Sequence, residues 1–126
     1  MKDSNAYIDL TIAACKKVTE YITGMSMEQF LADSKTQSAV IMQLQIIGEM
    51  SKKVPTHIRE HIDVPWSMIV GLRNIISHEY FMLELGTIWN IASRDVPELE
   101  TKLHEYLRAQ GTSYMPPFDD ATPLLE

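Results

Sequence analysis

At 126 residues the chain is the size of one domain, long enough to bury a single core and too short for a separate regulatory module. Hydrophobic residues at 45% and charged residues at 22%, with five Gly and six Pro, give the balance of an ordinary globular protein and exclude a disordered or fibrous one. No apolar run reaches the roughly 20 residues that span a bilayer, and Met1 to Leu10 is acidic and polar where a secretory leader needs an apolar stretch. A cytoplasmic protein with no membrane partner is expected. Cys15 is the single cysteine, so no internal disulfide forms, and beside Ala14 on a helix it is expected in the core.

The net charge of −6 argues at first against a nucleic-acid partner. Its distribution weakens that objection, because residues 1–78 hold eight basic and eight acidic side chains and residues 79–126 hold three and nine. The acidic excess is therefore all C-terminal.

Helical spacing recurs along the chain and strand-like alternation is hard to find, so the fold is expected to be all-α. A first helix is expected from about Ser4 to Thr23, burying Leu10, Ala14, Val18 and Tyr21 and stopping at Gly24. Ser26 with Gln29 and Ser34 with Gln37 both have capping-box spacing, marking a short helix and then a long one through Met50 with Val40, Leu44, Ile47 and Met50 inside. Pro55 breaks the chain, Thr56 to His61 makes a turn of helix, and Pro65 is placed to open the next helix. The last long segment runs from near Leu85 to about Arg108, with Ile88, Ala92, Val96, Leu99, Leu103 and Tyr106 inward and Pro97 expected to kink or split it. Short connections make an up-and-down bundle of four to five helices the natural architecture over residues 1–110. Residues 111–126, with three Pro and no helical period, read as a C-terminal tail, flexible or docked on a partner through Tyr114, Pro116, Pro117 and Phe118.

The helix expected from Trp66 to Phe81 separates into two arcs on a wheel of about 100° per residue. Met68, Ile69, Leu72, Ile75 and Ile76 form an apolar stripe for the bundle. The opposite arc collects Arg73, Asn74, Ser77, His78 and Tyr80 with Trp66, Val70 and Phe81, a polar and aromatic mixture suited to a partner surface. Arg73 is a permanent cation with a fork of donors matching phosphate, and His78 is the side-chain type that exchanges protons near neutral pH. Together they fit metal-free RNA cleavage, in which a base takes the proton of the ribose 2′-OH and cationic donors stabilise charge on the phosphate. Asn74, at i, i+4 from His78, is placed to orient the imidazole. An Arg and a His five apart are also an ordinary solvated or capping arrangement, and chemistry alone leaves both readings open.

Arg73, His78 and Tyr80 spell Arg-x4-His-x-Tyr, and this resembles the signature of HEPN-domain proteins, specifically the HepT-like toxins. The later IWNIASRDVPELE, Ile88 to Glu100, is similar to the last helix of that family, and the resemblance covers roughly residues 5–108. It implies a metal-independent endoribonuclease needing no cofactor, the toxin of a type VII-like toxin–antitoxin pair, acting as a homodimer whose two motifs form a composite cleft. Arg73 and His78 take the catalytic positions, Asn74 matches the polar residue after the arginine, and Ser77 lies on the same face. The implied partner is an MntA-like nucleotidyltransferase antitoxin that silences the toxin by transferring AMP to Tyr80. Added negative charge and bulk beside Arg73 would block and repel RNA. Taken as a residue alone, Tyr80 is equally an aromatic packing at a helix end.

His57 to His61, HIREH, matches a zinc-peptidase pattern, but it lies between Pro55 and Pro65 in a segment too short for a stable helix, and no metal site is expected. With Lys52, Lys53 and Arg59 these histidines read as a basic surface patch near the RNA path or simply a solvated one. The eight Met are expected mainly as core filling. The substrate expected is RNA and not DNA. The alternatives are a non-catalytic helical module that docks a minimal nucleotidyltransferase, and a purely structural dimer.

Overall fold

The computed structural model describes residues 5–74 and 84–117, and every regular element among them is helical. Helix α1 spans Ala6–Ile22 and α2 Met27–Leu31. Helix α3 is Ser34–Lys52 and α4 a single turn, Thr56–Arg59. Helix α5, Trp66–Gly71, tightens into a 3-10 turn at Leu72–Asn74. Helix α6, Leu85–Asn90, runs through a π turn at Ile91–Asp95 into α7, Val96–Ala109. No described helix is long and apolar enough to cross a membrane.

Gly24 ends the first helix as expected: its φ of +76° is a left-handed conformation that costs glycine little. The buried face of α1 is rotated from the expected one. Ile8, Ile12, Cys15 and Val18 are fully enclosed, whereas Leu10 and Tyr21 are half-buried. The Cys15 thiol, in the core as expected, is pushed far up by desolvation and by the nearby Glu100 carboxylate, so it is held as an inert thiol.

Ser26 and Gln29 form the expected reciprocal cap, with Ser26 Oγ accepting the Gln29 N–H at 3.1 Å and Gln29 Oε1 accepting the Ser26 N–H at 2.8 Å. The second expected box is not made. Asp33, one residue earlier, caps α3, its carboxylate accepting the Thr36 N–H at 3.0 Å and the Thr36 hydroxyl at 2.7 Å. A carboxylate at a helix N-terminus gains from the dipole as well as from the hydrogen bonds, so it displaces Ser34 from that role. Gln37 instead donates from Nε2 to the Phe30 carbonyl at 2.8 Å, tying the end of α2 to α3.

The core is shared by α1, α3 and α7, with Val40, Leu44, Ile47, Leu99, Leu103 and Leu107 enclosed. Leu107 takes the inward position expected of Tyr106, and Met50 is half-buried while Ser51 is enclosed. Of the methionines, Met27, Met42, Met68 and Met115 are exposed rather than core-filling. Phe30 anchors α2, fully enclosed with its ring 5.4 Å from that of Trp89 on α6.

The last segment is split at Pro97, which lies in the first turn of α7. Proline has no N–H to continue the ladder of a straight α-helix, and the π turn immediately upstream accommodates the loss.

After α7 the chain folds back on its own bundle. Tyr114 sits edge-on to His104 at 5.9 Å with the Lys16 ammonium 5.3 Å above its ring, and the Met115 N–H donates to Asp9 Oδ1 at 3.2 Å. Burial raises the Tyr114 phenol above its ordinary value. Tyr114 is thus engaged within its own chain, Pro116 and Pro117 are exposed, and Phe118 lies outside the described residues.

Truncating Phe30 to alanine should lower stability by about 3 kcal/mol in urea unfolding, the usual cost of emptying an aromatic site in a core. The hydrogen bonds from Thr36 hold the Asp33 carboxyl below its ordinary value. Its stabilisation is therefore present above the unfolded carboxylate pKa and lost as pH falls through the lower folded one. Asp33→Asn should flatten that acid-side loss in pH-dependent thermal melts.

Candidate functional site

The site is built where α5 and its 3-10 turn cross α3, and a glycine decides how closely they approach. Gly48 is buried inside α3, about one turn from its C-terminal end, where glycine weakens a helix by about 1 kcal/mol relative to alanine. A Cβ there would fall within 3.0 Å of the Val70 carbonyl oxygen and 3.1 Å of the Arg73 Cα, and closer still to the Arg73 amide nitrogen. All three atoms are backbone and none can swing aside. Gly48 is therefore the seat on which the backbone of Arg73 rests.

The adjacent residue holds the side chain. Arg73 Nη1 lies 3.8 Å from Glu49 Oε1, with the two side chains 34% and 46% exposed. At that exposure an ion pair is worth only about 0.2–1 kcal/mol, so the guanidinium is steered but remains available to a stronger anion.

The N-terminal end of α5 is fixed by Arg59 and Trp66. Arg59 donates to the Val54 carbonyl at 2.9 Å and the Lys52 carbonyl at 2.6 Å, satisfying backbone acceptors at and just past the end of α3. Its guanidinium stacks 5.7 Å from the Trp66 ring, and Trp66 Nε1 lies 3.1 Å from both the Arg59 and Ile62 carbonyls. In HIREH, then, the arginine knits α3 to α5, while His57 and His61 are exposed. Lys52 is exposed as the basic-patch reading expects, and Lys53 lies 5.7 Å over the Tyr7 ring.

The wheel for this helix is corrected in two places. Ile69 and Leu72 face inward, but Met68, expected beside them, is 55% exposed. Trp66 and Val70, expected on the partner face, are half-buried, with Trp66 packed against the core cluster. Met68 instead lines a cavity on that side of the helix, and Trp66 is drawn inward by the Arg59 and Ile62 carbonyls that accept its Nε1–H. Arg73 is half-buried and Asn74 exposed at the end of this turn. Ile75, Ile76, Ser77, His78, Tyr80 and Phe81 lie outside the described residues.

Behind α5 lies a cavity of about 70 Å³ floored by Ile47, Ile69, Leu72 and Leu99 and rimmed by Asp63, Asp95 and Glu98. Apolar and ringed by carboxylates, it would repel a polyanion.

The sequence matches the family described as Ribonuclease HepT-like over residues 11–106, from α1 to α7 and through the whole motif. The chain belongs to that family. A relative from Caldanaerobacter subterraneus subsp. tengcongensis, named "Putative RNase", is 35% identical over 87% of this chain and 99% of its own. "Probable ribonuclease HepT" of Thermococcus cleftensis is 33% identical over 79% of this chain and 91% of its own. A Methanocaldococcus jannaschii protein named "Putative RNase" is 32% identical over 81% and 94%. No solved structure matches the chain.

Gly48 and Glu49 were not among the residues expected in a HepT-like site. The available signal was a glycine set inside an otherwise apolar helical stripe, a placement that usually has a packing reason.

Gly48→Ala should destabilise the protein by about 1–2 kcal/mol in urea unfolding, overpacking outweighing the better helix propensity. Gly71→Ala, on the motif helix itself, meets open space and should be neutral or stabilising by up to about 1 kcal/mol.

Proposed function

We propose that this HepT-like chain is a metal-independent endoribonuclease, the toxin of a type VII-like toxin–antitoxin pair, acting in the cytoplasm as a homodimer. The observation that carries the reading is a guanidinium, Arg73, seated by its backbone on α3 and only weakly paired, at the head of Arg-x4-His-x-Tyr in a ribonuclease family.

In the proposed reaction His78 takes the proton of a ribose 2′-OH. The 2′-oxygen attacks the adjacent phosphorus, the bond to the 5′-oxygen breaks, that oxygen takes a proton from water, and a 2′,3′-cyclic phosphate and a 5′-hydroxyl result. Arg73 donates to the phosphate oxygens as charge builds on them, supplying the positive charge from the protein itself. Asn74, with Ser77 nearby, orients His78. Each motif faces its copy across the dimer axis, so that one cleft holds two sets of these groups. Residues 1–110 form the catalytic bundle, with 111–126 as an appended tail.

Regulation is proposed at Tyr80. An MntA-like nucleotidyltransferase moves AMP from ATP to the phenolic oxygen, releasing pyrophosphate, and the new phosphodiester sets a negative charge and a nucleoside beside Arg73.

Expressed without an antitoxin, the wild-type protein should arrest growth, and purified protein should cut RNA in the presence of EDTA. His78→Ala and Arg73→Ala should each lower the cleavage rate at least about 100-fold, the usual scale for losing a general base or an electrostatic donor. Equal harmlessness and equal inertness of all three proteins would sink the ribonuclease reading and favour a docking module. After incubation with ATP and the nucleotidyltransferase, mass spectrometry should find AMP on Tyr80. Tyr80→Phe should carry none, and any activity it retains should be insensitive to the enzyme.

A further inference from the structure

Glu49 stands beside the one motif cation described, and two facts fix its relation to Arg73. It follows Gly48 directly, so the glycine that seats the Arg73 backbone also sets the carboxylate near the guanidinium. Yet the closest approach, 3.8 Å, is outside hydrogen-bonding range, and both side chains are a third to a half exposed. A residue built to lock an arginine would present a bidentate carboxylate at about 2.8 Å. This one offers only charge.

We infer that Glu49 is a placeholder anion: in the free protein it occupies the electrostatic seat that an RNA phosphate takes at Arg73, and it gives way when RNA binds. The inference rests on the reading of Arg73 as the phosphate donor. A phosphate can meet the guanidinium fork with two short charge-assisted hydrogen bonds, so it displaces a loose, single-point contact. Glu49 also carries the same sign as RNA. Until it swings outward it opposes every anion at the site, and only a ligand that fills the fork overcomes it. Glu49 thus sets binding strength through Arg73 and touches no reacting atom.

The test is a double-mutant cycle on binding, with a fluorescent, fully 2′-O-methylated RNA oligonucleotide that cannot be cleaved by 2′-OH attack. Anisotropy titrations at one fixed salt concentration compare wild type, Glu49→Gln, Arg73→Ala and the double variant. With 46% of Glu49 exposed, the amide leaves the fold intact. Glu49→Gln should bind about two- to fivefold more tightly than wild type, the scale of one exposed ion pair. In the Arg73→Ala background the same change should make no difference. Equal or weaker binding by Glu49→Gln overturns the inference and makes Glu49 an orienting residue. Tightening that persists undiminished without Arg73 overturns it too, in favour of bulk charge. If Arg73→Ala alone binds as tightly as wild type, the phosphate role of Arg73 is what fails, a result separable from the other two.

Discussion

Everything at this site depends on the close approach of two backbones at Gly48. Helices ordinarily pack through side chains, with axes about 8–10 Å apart. Here the missing Cβ lets the turn that carries Arg73 rest directly on α3. A side chain of five rotatable bonds is a poor positioning device unless its root is fixed, and the seat fixes the root. The remaining supports act on the same crossing from other directions. Arg59 and Trp66 hold the start of α5 against the end of α3, while Ile69 and Leu72 bury its inner face.

This arrangement reconciles an acidic chain with an anionic substrate class. Described carboxylates also gather away from Arg73, at the rim of the cavity behind α5 and at Glu100, which meets Lys16 and His104 between α1 and α7. Among the described residues, the ion pair at the motif sets one guanidinium against one loosely held carboxylate. Net charge describes long-range steering, and it says little about a site decided within a few ångströms.

Local chemistry was the legible part of the sequence. Gly24 as a stop, the Ser26–Gln29 box and the split at Pro97 are each decided by a residue and its near neighbours, and each is where the pattern placed it. Choices between neighbours were harder. Ser34 has the right spacing for a cap, but Asp33 offers a stronger acceptor one position earlier. Met68 falls on the apolar arc of an ideal wheel and is nevertheless exposed, because a wheel assigns a face without saying whether a neighbour covers it. The bundle was legible because helical periodicity sums over many residues, whereas the Gly48 seat was not, since it links positions 25 residues apart through backbone atoms that leave no side-chain pattern. The motif itself was legible as a string, and its first residue, Arg73, lies in the 3-10 turn after α5.

The π turn at Ile91–Asp95 has a consequence for how this segment tolerates change in length. From Ile88 to Leu107, both enclosed, is 19 positions, and at about 100° each a straight helix would leave the two roughly 100° out of phase. A π turn takes up one extra residue, about that same angle, and brings Leu107 back toward the phase of Ile88. The turn is in effect a stored insertion. In α7 itself a lost residue would rotate every later side chain off its face, but within 91–95 it would restore an unbroken α-helix.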